Sequence, residues 1–272
     1  MRGGFAPYLA EWQLTPDGEP IRTLNAELLP VQRDGRPFML KLLHAPEERR
    51  GALLLDWWAG EGAACVIEHR EEALLMERAT GSASLSDMAR EGRDDEATHI
   101  LCATAARLHA PRSRPLPVMK PLAEQFRELW PMAVERGGIL ARSAEAAAAL
   151  LADPQQVVPL HGDLHHDNVL DFGPRGWLAI DPQGLIGERG FDYANIFTNP
   201  DLSDPSRPVA TVPGVFERRL DVVVSASGLD RTRLLHWILA WCGLSASWFL
   251  EDEDPLTEID LAIAEKAAAL IG

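Results

Sequence analysis

The sequence predicts an α+β fold in two parts. Residues 1–79 form a small antiparallel-sheet lobe with one helix, and residues 80–272 form a larger, mainly helical lobe. Three observations predict it. Strand patterning crowds into the first 79 residues; from Thr80 on, apolar residues recur at helical spacing; and one polar loop between short apolar strands interrupts the helices near residue 165. At 272 residues, 46% hydrophobic and 25% charged, the chain can bury a sizeable core.

In the first lobe, Leu28–Val31 and Phe38–Leu43 are separated by Arg33-Asp34-Gly35-Arg36, a hairpin turn signal. Pro46, Glu47 and Glu48 open a helix, with proline in the first turn and acids at the positive end of the dipole. It runs through Leu53, Leu54, Trp57 and Trp58 and stops at Gly60. Ala64–Glu68 and Ala73–Arg78 read as two more strands. Beyond them, Asp94–Ala110, Leu122–Val134, Ser143–Leu151, Arg231–Phe249 and Leu256–Ile271 read as helices. Val157–Leu160, Asn168–Leu170 and Trp177–Ile180 read as the interrupting strands.

Forty-one acidic against 26 basic residues give a net charge of −15. That field repels phosphate backbones and anionic lipid heads and suits a cationic partner; neither nucleic acid nor membrane is expected. Cys65, Cys102 and Cys242 lie far apart and suggest no disulfide scaffold. Leu234–Leu250, 17 residues without a formal charge, is shorter than the roughly 20 residues that span a bilayer and reads as a buried core helix. The residues after Met1 do not read as a signal peptide, so a cytoplasmic location is expected; the expected state is a monomer.

The densest chemistry is His161-Gly162-Asp163-Leu164-His165-His166-Asp167-Asn168. Two readings compete. The histidines and aspartates could bind a pair of transition metals for hydrolysis. Alternatively, Asp163 is a general base toward a hydroxyl, and Asn168, five residues on, is an oxygen ligand for Mg²⁺. The second reading requires another carboxylate just downstream, and Asp181 follows the apolar strand Trp177–Ile180. Lys41, inside the apolar strand Phe38–Leu43, implies a carboxylate or phosphate partner, because an unpaired charge there is costly.

On these residues the chain resembles the aminoglycoside phosphotransferase superfamily, relatives of the protein kinases, and within it the streptomycin 6-kinase or aminoglycoside/hydroxyurea resistance kinase group. The likeness runs through Trp12 with Asp17-Gly18, Leu29–Lys41, Leu54–Gly62, Ala73–Ala79, Leu160–Leu170, Ala179–Gly187 and Phe191–Pro200. It implies a two-lobed protein-kinase-like fold and transfer of the ATP γ-phosphoryl group to a hydroxyl, with ATP and Mg²⁺ bound between the lobes. Asp163 would take the hydroxyl proton, Asn168 and Asp181 would hold Mg²⁺, and Lys41 would touch the α- and β-phosphates. Glu77-Arg78-Ala79 matches the adenine-binding connector, with Met76 lining the pocket. Arg22–Ala26 replaces the glycine-rich phosphate loop, with Thr23 and Asn25 as its polar members. Gly51 falls where some relatives carry the lysine's glutamate; Glu48 is the first choice for that partner and Glu47 the second. Asp171-Phe172-Gly173 spells the kinase magnesium tripeptide, yet comes only three residues after Asn168, so it reads as a hairpin turn. Asp192 matches a position that braces the catalytic loop.

For the acceptor, the acidic balance and the resemblance point to a cationic aminoglycoside, streptomycin first, with other hydroxylated metabolites as the alternative. Glu188, Glu251 and Asp252 are the candidate substrate carboxylates, with Glu253 and Asp254 beside them.

Overall fold

A computed structural model describes residues 4–22 and 26–272, so Thr23 and Asn25 lie outside the described residues. Helix α1 (Ala6–Glu11) precedes strands β1 (Thr15–Pro16), β2 (Ile21–Arg22), β3 (Ala26–Arg33) and β4 (Arg36–Leu43). Helix α2 (Pro46–Trp58) and strands β5 (Val66–Arg70) and β6 (Ala73–Glu77) complete the first lobe. The sheet is antiparallel in the order β1-β3-β4-β6-β5, with β2 also on β3. Asp34 and Gly35 both take positive φ, as a two-residue hairpin turn with the right twist demands. Alternation along β4 then sorts the side chains. Leu40 and Leu42 enter a small cluster with Trp12, Leu29 and Val31, whereas Leu43 joins the main core. Lys41 shares the second face and looks toward α2.

The second lobe contains α3 (Leu85–Met88), α4 (Asp94–Leu108), β7 (Lys120–Pro121), α5 (Leu122–Gln125), α6 (Leu129–Arg136) and α7 (Gly138–Ala152). It continues through β8 (Val157–Leu160), β9 (Val169–Asp171), β10 (Trp177–Ala179), β11 (Leu185–Glu188) and α8 (Gly190–Ala194). Helices α9 (Val215–Ser227), α10 (Arg231–Glu251) and α11 (Thr257–Ile271) close the chain. Strands β9 and β10 form an antiparallel hairpin, and β7, β11 and β8 a separate three-stranded sheet.

The helix expected over Leu122–Val134 is broken: a 3₁₀ turn at Phe126–Glu128 separates α5 from α6. Pro131 has no N–H to give and its ring opposes the carbonyl four residues back, which disfavours a continuous helix there. Helices α1 and α9 were not anticipated. Helix α10 is buried through most of its length, as expected for its uncharged run, and no helix among the described residues is long and apolar enough to cross a membrane.

Candidate active site

Lys41 pairs across β4 with Leu28 on one side and Leu74 on the other, which fixes its backbone at the centre of the sheet. The residue is 4% exposed, and its side chain forms ion pairs with both Glu48 and Asp181. Burial disfavours the ammonium, but the two carboxylates outweigh it and raise its pKa above the ordinary value. Glu48 is thus the helix partner; Glu47 lines the neighbouring cleft instead.

Gly51 shows why the partner sits one turn earlier on α2. A Cβ there would fall 1.9 Å from the Pro182 carbonyl oxygen, so α2 lies directly against the Asp181-Pro182 backbone. No side chain fits at 51 unless one of the two segments shifts, and Glu48 faces the same side three residues before it.

Asp163 follows β8 in a loop braced from beneath. One Asp192 carboxylate oxygen accepts the His161 N–H at 2.9 Å and the His109 ring nitrogen at 2.8 Å, while the other accepts the Gly162 N–H at 2.8 Å. His161 is buried, and its ring lies 2.7 Å from the Ile180 carbonyl. The Asp163 carboxylate accepts from Asn195 Nδ2 at 2.9 Å and Asn168 Nδ2 at 3.0 Å, with His165 Nε2 3.6 Å away. Burial would raise its pKa, but His165, His161 and the Asn195 amide hold it well below the ordinary carboxylate range. Asp163 is therefore ionised throughout the neutral range.

Asn168 spends its amide hydrogens on the Asp163 carbonyl (2.8 Å) and carboxylate, which leaves Oδ1 without a donor among the described residues. The Asp181 side chain is half exposed at positive φ, just after β10. An amide oxygen and a carboxylate, both hard donors with room for phosphates and waters, fit Mg²⁺. No three His, Cys, Asp or Glu side chains gather into a metal-holding group among the described residues. The histidine-rich loop is instead pulled apart, with His166 buried and Asp167 bound to Ser86 Oγ at 2.6 Å.

Asp171-Phe172-Gly173 forms the turn between β9 and β10. The Asp171 carboxylate accepts the Gly173 N–H at 2.8 Å, and its carbonyl accepts the Gly81 N–H of the lobe connector at 3.0 Å. In that connector, Ala79 offers a backbone N–H and C=O with no hydrogen bond among the described residues. The Glu77 carboxylate is occupied by the Cys65 N–H and Arg175, both at 2.6 Å. Met76 lines an apolar slot beside Lys41 with Leu28, Leu74 and Ile180.

The expectation for Glu188 is corrected. It is 2% exposed, and its carboxylate accepts from Arg233 Nε and Nη2 (2.6 Å each), Trp237 Nε1 (2.8 Å) and the Gln155 N–H (2.8 Å). Four donors leave it nothing for a substrate; it ties β11 to α10. Glu251 and Asp252 are exposed at the end of α10, three and four residues beyond Trp248. Asp254 caps the next turn through the Leu256 N–H.

Trp248 lines an open cleft of about 530 Å³ with Asp163, Asp181, Arg50, Lys120 and Gln125. Arg50, Lys120, Gln125, Trp248 and Asn195 all escaped sequence reasoning. Asn195 stood nearest to being found, in the Phe-Asp-Tyr-Ala-Asn run that holds Asp192.

Residues 11–253 match the family described as aminoglycoside/hydroxyurea antibiotic resistance kinase. Over 266 residues the chain is 55% identical to a streptomycin 3''-kinase of Klebsiella pneumoniae, covering 97% of this chain and 100% of that protein. It is 35% identical over 273 residues to a streptomycin 6-kinase of Streptomyces griseus, covering 94% and 86%. Among solved structures, a choline/ethanolamine kinase family protein from Mesorhizobium loti superposes with a TM-score of 0.66 at 15% identity, covering 97% of this chain and 90% of that one. A thermostable mutant of aminoglycoside phosphotransferase APH(4)-Ia, with ADP and hygromycin B, gives 0.62 at 13% identity, covering 98% and 97%.

Proposed function

Because the chain belongs to the aminoglycoside/hydroxyurea antibiotic resistance kinases, we propose that it transfers the γ-phosphoryl group of ATP to the 3''-hydroxyl of streptomycin. The observation that carries this reading is the 55% identity to a streptomycin 3''-kinase over nearly the whole of both chains. The 6-kinase of Streptomyces griseus, at 35%, stands 20 percentage points lower, which favours the 3''-position over the 6-position.

Asp163 orients the acceptor hydroxyl. As the new O–P bond forms, the hydroxyl proton passes to the Asp163 carboxylate; the bond from the γ-phosphorus to the bridging oxygen breaks, and ADP leaves with that electron pair. Its depressed pKa makes Asp163 a weak base toward a ground-state alcohol. Proton transfer therefore comes late, as a loose phosphoryl-transfer transition state requires. Asn195 and Asn168 hold the carboxylate in place, so that alignment supplies most of the rate. Asn168 Oδ1 and Asp181 would hold Mg²⁺, which neutralises phosphate charge when bound. Lys41, kept charged by Glu48, supplies positive charge for the α- and β-phosphates. Glu251 and Asp252, on the turn after Trp248, offer carboxylates to a guanidinium-bearing acceptor.

The test is a preparative reaction with ATP, Mg²⁺ and streptomycin, the product being assigned by ³¹P–¹H correlation NMR. Phosphate on the 3''-oxygen is expected. Phosphate on the 6-oxygen, or turnover only with another alcohol, refutes the assignment.

A further inference from the structure

Two cationic side chains in the cleft form no ion pair among the described residues although the chain carries 41 acids. Arg50 lines the cleft from α2 and forms no ion pair among the described residues, and its buried Nε has no hydrogen-bond partner. Its neighbour Arg49, by contrast, pairs with Glu71 and Glu72. Lys120 donates to Gln125 Oε1 at 2.5 Å, a neutral acceptor, and Gln125 in turn donates to Gln183 at 3.1 Å. Glu47 lines the same cleft without pairing to either. The two cations repel each other: burial, and then Arg50, lower the Lys120 pKa, and the nearby Glu124 and Glu128 offset this only in part.

Both are anchored on one residue. A Cβ at Gly184 would lie 2.9 Å from the Arg50 carbonyl carbon, and the Lys120 N–H donates to the Gly184 carbonyl at 3.1 Å. Lys120 also stands opposite Leu185, which pairs in turn with Leu160, one residue before the catalytic loop. Holding two like charges together, unpaired and partly desolvated, is unfavourable until an anion arrives.

We propose that Arg50 and Lys120 form a phosphate subsite on the acceptor side of the cleft, which takes the phosphate dianion as nucleotide γ-phosphate or as product ester. This rests on the kinase reading, since that reaction brings such a group to Asp163.

The experiment is calorimetric titration of wild type, Arg50→Gln and Lys120→Gln with ADP, with the β,γ-imido analogue of ATP and with phosphorylated product. Losing one charged donor should weaken the ligand that uses the subsite about tenfold or more and leave ADP unchanged. A loss for the analogue identifies the γ-phosphate as the occupant, and a loss for the product identifies the ester. Lys120→Arg should restore binding. Unchanged affinity for both overturns the subsite, as does tighter streptomycin binding with both phosphates unaffected. If a variant fails to fold, ³¹P line broadening of inorganic phosphate by ADP-saturated wild type decides, and no broadening overturns the proposal. Wild type that binds neither nucleotide refutes the kinase reading instead.

Discussion

Replacing Gly51 by alanine should separate stability from activity. The added Cβ begins 1.9 Å from the Pro182 oxygen, so α2 or the Asp181-Pro182 backbone must retreat by about 1.1 Å to reach the closest approach real Cβ atoms show. Overpacking of this kind costs roughly 1–3 kcal/mol, while alanine recovers about 1 kcal/mol of helix propensity over glycine. The net loss is about 0–2 kcal/mol, or a fall in Tm of at most about 4 °C for a chain of this size. Function suffers more, because the two segments being pushed apart carry Glu48 and Asp181, the two partners of Lys41. A displacement of about 1 Å at such a site costs on the order of 100-fold in rate. Scanning calorimetry and steady-state phosphorylation of streptomycin measure the two effects separately. An alanine variant with kcat/KM within about threefold of wild type would refute the reasoning, since a drop of two orders is expected.

Asp163→Ala should lower kcat by about 10³-fold or more while ADP affinity, read by calorimetry, stays intact; undiminished turnover would remove Asp163 from the chemistry. Asp181→Ala should abolish the Mg²⁺ dependence of nucleotide binding, visible as identical ATP titrations with and without the metal. Glu188→Ala leaves Arg233 without its charge partner and should cost about 3–5 kcal/mol in urea denaturation, with streptomycin KM unchanged in the folded fraction. A raised KM with full stability would restore its substrate role. Asp260, fully buried on α11, has its pKa pushed well up by burial, an effect the Ser245 hydroxyl only partly offsets. Its folded pKa exceeds the unfolded one, so its contribution is complete below the ordinary aspartate range and lost as pH rises toward the folded value. Asp260→Asn should flatten that decline and raise Tm at neutral pH; thermal melts from pH 4 to 8 check it.

What was legible in the sequence was what short stretches specify. Lys41 stands out as a charge in an apolar strand, Asp163 and Asn168 share one loop, and Asp181 ends a strand before a Pro-Gln-Gly turn. Arg50 and Lys120 are 70 positions apart and meet only across the fold of Gly184, so no local pattern ties them together. Glu188 was misplaced because an acid at the end of a strand reads the same whether it faces water or an arginine on a distant helix. Helix α9 escaped because Arg219 interrupts its apolar stripe of Phe216, Leu220 and Val223; in the fold that arginine is buried against Asp94.

The β9–β10 hairpin is stitched to the first lobe as well as the second. Ala64 N–H donates to the Ala179 carbonyl, Ala179 N–H returns a bond to Gly62, both at 2.9 Å, and Arg175 reaches the Gly60 carbonyl at 2.7 Å. Asp181 lies two residues past Ala179, so the same bonds that hold the hairpin to the first lobe hold Asp181 beside Lys41. The two side chains proposed to meet the nucleotide phosphates are thus tied to one hydrogen-bonded body, which spares them from having to be aligned anew across the cleft.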